Sequence, residues 1–310
     1  KKLFRYILKR VLAGFLSLFV LITVTFFLMH SIPGGPFSPE EDRRVPEAVL
    51  EKISESYGLN DPLPVQYKDY LKNLAKGNLG ISFKQPDVTV NEILERGTPV
   101  SAKLGAIAVL FSLLVGIPLG IISAVKRGTG ADMAAMVFST IGISIPNFVM
   151  TVLLMYFFAV YLQLLPTYGL STWKHYILPV LGLSFTPIAR ITRLMRSSML
   201  EVMEEDYIRT ARSKGVREFF VIVKHALKNA IIPVVTYLGP LVAALLTGTF
   251  VVERLFSIPG VGREFVTGIS DRDYSITLGM TIYLGCFIII VNIIVDVLYV
   301  VIDPRVKIDE

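Results

Sequence analysis

Few residues of this 310-residue chain are suited to bond-making chemistry, and those few are scattered. His30, His175 and His225 are far apart and do not form a metal pair. Cys286 is the only cysteine and lies inside an apolar run, which rules out an intrachain disulfide and fits a small packing residue. No G-x-x-x-x-G-K-[ST] phosphate loop occurs, so the chain has no such cradle for ATP. Neither H-E-x-x-H, G-x-S-x-G nor C-x-x-C is present. The expectation is a chain that is not an enzyme and that binds no metal or cofactor of its own.

What remains is the chemistry of recognition. Asp206 to Pro233, DYIRTARSKGVREFFVIVKHALKNAIIP, is a helix-prone segment between two apolar runs. Residues 200–206 are acidic (Glu201, Glu204, Glu205, Asp206), and then Arg209 to Lys228 is basic. Gly215 interrupts a helical pattern, where glycine permits a left-handed cap and a sharp turn. The spacing predicts a helix, a turn at Gly215 and a second short helix from Val216 to His225. Phe219, Phe220 and Ile222 give that second helix apolar residues able to enter a partner's groove. Lys and Arg beside Phe equally suit an amphipathic helix lying on a membrane surface. On the residues alone both readings stand.

Polar residues inside apolar runs form a second set. Asp296 interrupts the last run, where an ionised carboxylate is costly unless paired. Arg190 or Arg193 could pair with it, and a structural pair is favoured over proton coupling. Ser139, Ser144 and Asn147, the last beside Pro146, are candidate pathway-lining groups. Pro118, Pro146, Pro179, Pro187 and Pro240 break or kink helices and free carbonyls, which in transporters can line a pathway.

The elements that must position these residues are membrane helices. The chain is 53% hydrophobic with only 18% charged residues, and about 20 apolar residues cross a hydrocarbon core. Val11–Met29 qualifies; it is longer than a signal-peptide core and lacks a small-x-small cleavage site, so it reads as a retained first span. Leu104–Val125 is the second. From Met133 to Trp173 no charge occurs, which reads as one helix to about Leu162 and then a loop around Leu165-Pro166-Thr167. Tyr176–Ala189 continues into Arg190, Arg193 and Arg196, which share one helix side and can snorkel toward headgroups. Ala230–Val252 and Ile276–Val301 complete six spans.

Basic residues set the orientation. Lys1, Lys2, Arg5, Lys9 and Arg10, the Lys126-Arg127 turn, the Arg209–Lys228 loop, and Arg305 with Lys307 all fall on one side of six spans, so both termini are expected in the cytoplasm. The net charge of +6 reports topology here. The basic residues flank apolar helices and leave no free face for nucleic acid, so membrane lipid is the expected surround. Residues 33–98 form a small outer domain with helices over Pro46–Tyr57 and Pro64–Ala75, and a capping box at Thr89-Val90-Asn91-Glu92 opening a short helix. It could be a lid or a docking surface for an outer partner. Glu253–Tyr274 lies outside too, as a re-entrant turn or a surface loop. The divisions are 1–32, N-terminus and first span; 33–98, outer domain; and 99–310, a five-helix core with the loop at about 200–228.

DYIRTARSKG followed by HALKNAIIPV resembles the cytoplasmic loop of inner-membrane permeases of ABC importers. The general pattern there is Glu-Ala-Ala, three residues, then Gly. Aligned on Gly215, the three positions are Arg209, Thr210 and Ala211; only Ala211 and Gly215 match, and Arg-Thr-Ala is typical of the peptide and nickel branch. IPGGPF at 32–37, GNLGISF at 77–83, GISIP at 142–146, RSSMLEV at 196–202, VTYLGPL at 235–241, FSIPGVG at 256–262, RDY at 272–274 and DPR at 303–305 agree in order and spacing. The resemblance is strongest to the first of the two permeases of oligopeptide importers.

The resemblance implies an all-α integral membrane protein of six helices with the type I ABC importer permease architecture, in a bacterial or archaeal plasma membrane. It implies a second homologous permease, two cytoplasmic ATPase subunits that hold ATP and Mg, an extracytoplasmic binding protein and a peptide substrate. It assigns coupling to Thr210, Ala211, Lys214, Gly215, Val216 and Phe219: Gly215 for the turn, Ala211 for close approach, the apolar and basic residues for contact with the ATPase. Alternatives are a dipeptide or nickel permease of the same family, an ion-coupled secondary transporter, which would want ionisable residues near the midplane, and a membrane scaffold.

Overall fold

The computed structural model describes residues 2–32, 58–85 and 87–302, without the side chains of 2–7, 246–248 and 295–302. The described residues are helical, with one isolated bridge between Ile81 and Thr89. Helix α1 is Lys2–Ser31 and α2 is Leu63–Ala75, with Pro64 in its first turn, where a missing N–H forfeits no helical bond. The expected helix at Pro46–Tyr57 lies outside the described residues. Helix α3 runs from Val90 to Val125. Its capping box forms as expected: the Glu92 N–H donates to Thr89 Oγ1 at 3.2 Å and the Thr89 N–H donates to the Glu92 carboxylate at 3.1 Å. The helix it opens is 36 residues long and continues into the second span, where the sequence suggested a short one. No loop separates them, and Pro99 leaves the helix unbroken.

The third span differs from expectation. Helix α4 (Gly130–Ser144) and helix α5 (Asn147–Met155, continued by a π-helical turn Tyr156–Tyr161) meet at 106°. Pro146 explains the break. It has no N–H for a helical bond, and it drives Ile145 to an extended conformation at φ −91°, ψ 125°. Helix α6 (Lys174–Met203) carries Pro179 and Pro187 without ending. Helices α7 (Asp206–Ser213) and α8 (Glu218–Ala230, with a π-helical stretch Val221–Ala226) precede α9 (Ile232–Leu255), which meets α8 at 50°. The segment after α9, expected as a re-entrant turn or plain loop, holds helix α10 (Val261–Ser270). The Val261 N–H at its start donates to buried Ser101 Oγ at 2.9 Å. Helix α11 is Tyr274–Ile302. Four helices are long and apolar enough to cross a membrane, and six spans result when each bent pair counts as one.

The chain divides into two compact units. Among the described residues, the first contains those up to Pro99 together with Arg263–Ile293. In it Phe26 and His30 of α1 stack on each other, and Phe26 also stacks on Tyr70 of α2. Gly14 lets α1 approach α11, since a Cβ there would stand 2.7 Å from Ile289 Cγ2.

Among the described residues, the second unit is Val100–Gly262 with residues 294–302 and is centred on α6. Leu178, Leu183, Ile191, Met195 and Met199 of that helix are buried with Leu104 and Leu241. Gly116 and Gly120 form a G-x-x-x-G step on α3 against α6. A Cβ on Gly120 would lie 2.5 Å from Met195 Cβ, and one on Gly116 would lie 2.8 Å from Ile191 Cγ2. Membrane helices associate through such small-residue contacts because lipid supplies no hydrophobic drive between them. Ser184 Oγ donates to the Ala108 carbonyl of α3 at 3.1 Å and Thr186 Oγ1 to the Gly142 carbonyl of α4 at 2.8 Å, so polar bonds tie α6 to both helices.

Candidate functional site

Helix α7 is short, and its burial is one-sided. Ile208 and Ala211 face inward, whereas Arg209, Thr210 and Arg212 are exposed. Asp206 stands in its first turn, where a carboxylate complements the helix dipole. The helix ends in a complete Schellman motif: the Gly215 N–H donates to the Arg212 carbonyl at 2.9 Å and the Val216 N–H to the Ala211 carbonyl at 3.3 Å. Gly215 has φ +76°, and a Cβ there would meet nothing within 4 Å. The backbone conformation, not lack of room, is what calls for glycine.

Across this turn Arg212 grips Glu218 with two hydrogen bonds, Nε to Oε2 at 3.1 Å and Nη2 to Oε1 at 2.7 Å. Each group favours the charged form of the other, raising the Arg212 pKa further. Asn229 Nδ2 donates to the Tyr207 hydroxyl at 2.8 Å, tying the far end of α8 to α7. Helix α8 starts at Glu218, two residues later than the expected Val216, and runs past His225 to Ala230. Val221, Ala226 and Ala230 are buried with Ile208 and Ala211.

All six residues proposed for coupling gather around this one turn. Thr210, Lys214, Gly215 and Phe219 are exposed, Val216 is half-buried, and Ala211 is only 7% exposed. The close approach that Ala211 permits in this structure is between segments of the chain itself. Phe219 and Phe220 are 67% and 51% exposed, their rings meeting edge-on at 5.6 Å between centroids. Val223 extends this apolar face and was not singled out from sequence, although its i, i+4 spacing from Phe219 marks it.

Ser139, Ser144 and Asn147 flank the α4–α5 break but sit in different surroundings. Ser139 is fully buried with its hydroxyl unpartnered, Ser144 is exposed and donates to the Thr140 carbonyl at 2.8 Å, and Asn147 is half-buried with Oδ1 enclosed. The Asp296 side chain lies outside the described residues. Arg193 Nη2 donates to Thr140 Oγ1 at 3.0 Å, and Arg190 lies against Tyr237. Arg196 does not snorkel as expected. Its guanidinium holds the buried carboxylate of Asp132 at 2.6 Å and 2.8 Å, an ion pair across 64 residues of sequence. Among the described residues no group of three or more His, Cys, Asp or Glu is placed to hold a metal ion.

The model of the binding-protein-dependent transport system inner membrane component matches residues 116–308, and that of the N-terminal part of such membrane components matches residues 3–104. The dipeptide transport system permease protein DppB of Bacillus subtilis is 46% identical over 306 residues, 98% of each chain. The oligopeptide transport system permease protein OppB of Salmonella typhimurium is 45% identical, covering 98% of this chain and 99% of that protein. Among solved structures, a chain of the MetNI methionine ABC transporter in an inward-facing conformation shares the fold. The TM-score is 0.57 at 17% identity, covering 68% of this chain and 96% of that one.

Proposed function

The chain belongs to the family of binding-protein-dependent transport system inner membrane components, and on that premise we propose that α7, the Gly215 turn and the start of α8 are the surface through which a separate ATPase drives it. It is a transmembrane permease subunit of a peptide ABC importer, not the catalytic subunit. The observation that carries the coupling surface is the pairing of a rigid, internally capped turn with an outward apolar face. Phe219, Phe220 and Val223 are exposed on a hairpin whose own core and hydrogen bonds are complete. A helix face of this kind enters a partner's groove. Thr210, Lys214 and Phe219 would touch the partner, Gly215 would set the turn, and Ala211 and Val216 would hold the hairpin on the body of the permease.

The finer assembly belongs to the same reading. The basic loops put the hairpin and both termini in the cytoplasm. A second homologous permease completes the pathway, two ATPase subunits hold ATP and Mg, and a binding protein delivers peptide at the outer face. Ser139, Ser144 and Asn147 border the pathway near the bend at Pro146, and Asp296 pairs with Arg190 or Arg193.

The test is ATP-dependent uptake of labelled peptides into proteoliposomes holding this chain with co-purified partners and binding protein. Uptake that vanishes when the ATPases are inactivated supports the reading, and di-, tetra- and hexapeptides in parallel set the preferred length. Nickel uptake without peptide uptake would move the chain to the metal branch. Uptake driven by an ion gradient with no ATPase would overturn the proposal.

A further inference from the structure

Asp132 opens α4, just after the turn that ends α3. Its carboxylate accepts four hydrogen bonds from three other segments: Ser123 Oγ in the last turn of α3, the Gly128 N–H in the turn at 2.9 Å, and Arg196 Nε and Nη2 on α6 at 2.6 Å and 2.8 Å. The Asp132 side chain is 7% exposed and Arg196 is 23% exposed, so the pair sits largely out of water. A fork-to-fork guanidinium–carboxylate contact fixes direction as well as distance. On the surface beside it Arg127 reaches Glu204 at 3.7 Å.

The position of this cluster matters more than its strength. Arg196 is seven residues from the end of α6, about 10 Å of helix, and α7 follows after Glu204 and Glu205. Along the same helix, Gly142 of α4 stands against Ala189, Gly116 of α3 against Ile191, and Gly120 of α3 against Met195, the neighbour of Arg196. Those contacts resist compression but not sliding or splaying. Single hydrogen bonds from Ser184, Thr186 and Arg193 oppose both farther along α6, and the Asp132 carboxylate, gripped by two bonds from one guanidinium, opposes both with a charged contact toward the end nearest α7.

We propose that Asp132 and Arg196 form a latch that makes the α3–α4 hairpin move as one body with α6 and the coupling hairpin. This rests on the coupling role proposed above. Asp132 and Arg196 are positioning residues: they touch neither peptide nor nucleotide, and they decide whether displacement of α7 reaches the helices beside the bend at Pro146.

The experiment measures peptide imported per ATP hydrolysed in proteoliposomes of the complete transporter. It compares wild type, Asp132→Asn, Arg196→Lys and the double variant Asp132→Asn/Arg196→Gln, with thermal unfolding recorded for each. In Asp132→Asn the ratio should fall by about tenfold, within the range typical of coupling between sites, while basal ATP hydrolysis persists. Arg196→Lys keeps the charge and loses the fork, and should lose about half of that effect on a logarithmic scale. A role in stability alone would lower the melting temperature and leave the ratio of the surviving transporter unchanged, and that result overturns the latch. If Asp132→Asn fails to assemble, Arg196→Lys decides: an unchanged ratio overturns the proposal and a reduced one sustains it. Absence of ATP-driven uptake in wild type would remove the coupling reading and the latch with it, whereas wild-type uptake with unaltered variants would remove the latch alone.

Discussion

Ser82 and Asp273 stand 191 residues apart in the chain, and the Ser82 hydroxyl donates to the Asp273 carboxylate in a buried contact. The same oxygen accepts the Phe83 N–H at 2.9 Å and the Lys84 N–H at 3.2 Å. The other oxygen accepts the Ile276 N–H at 3.1 Å, capping α11. One carboxylate thus closes the GNLGISF loop onto the RDY turn, two of the segments that carried the family resemblance.

Asp273→Ala takes this acceptor from the Ser82 hydroxyl and from the Phe83 and Ile276 N–H groups, each buried donor left unmet costing about 1–3 kcal/mol, while the Lys84 N–H keeps its bond to Ser82 Oγ. The expected outcome is a clear loss of thermal stability in detergent and faster proteolysis between residues 76 and 89. Asp273→Asn keeps the acceptor oxygen and should lose less than half as much. Equal melting temperatures for wild type and Asp273→Ala would show that the contact contributes nothing.

Gly215 provides a cleaner test of conformation. A Cβ there meets nothing, so a substitution costs only the left-handed backbone penalty of about 1–2 kcal/mol. Asn tolerates that region and Val does not. Gly215→Asn should keep most ATP-coupled uptake, whereas Gly215→Val should hydrolyse ATP with little transport. If both variants transport equally per ATP, the turn is not part of coupling.

Phe219→Ala separates docking from folding. An exposed side chain contributes within about 0.5 kcal/mol to stability, so the melting temperature of the purified permease should stay put. Affinity for the ATPase should drop by at least about tenfold if Phe219 is an anchor of the contact. Titrating labelled ATPase against the permease in nanodiscs measures this directly. Ala211→Leu should show the reverse profile, because the residue is enclosed and overpacking costs about 1–3 kcal/mol.

Two glycines of α3 predict opposite outcomes in one helix. Gly120→Ala drives a methyl group to 2.5 Å from Met195 Cβ and 2.7 Å from the Thr192 carbonyl, so stability should fall by about 1–3 kcal/mol. Gly105→Ala meets nothing within 4 Å and should be neutral, or better by up to about 1 kcal/mol from helix propensity.

Local features were the most legible in the sequence. The capping box at Thr89, the glycine turn at 215 and the outward Phe219 each follow from residues within a few positions of one another. Pro146 announced a break but not its 106° angle, because the angle depends on what α4 and α5 pack against. The Asp132–Arg196 pair was not legible: Asp132 stood at the edge of an uncharged run, Arg196 had two equally spaced arginine neighbours, and 64 residues lie between them. The G-x-x-x-G step at Gly116 and Gly120 could have been read from spacing alone and identifies the α3 face that meets α6.

The hairpin from Asp206 to Ala230 carries its own Schellman bonds, its own Arg212–Glu218 bridge and its own buried seam. A subunit docking there meets a finished shape, so the ordering entropy is already spent when the chain folds and little is left to lose on association. The heat-capacity change of that encounter should therefore scale with the small apolar patch of Phe219, Phe220 and Val223, far below the signature of a segment that folds as it binds. If this hairpin is the coupling surface, it is stiff before the two partners ever meet.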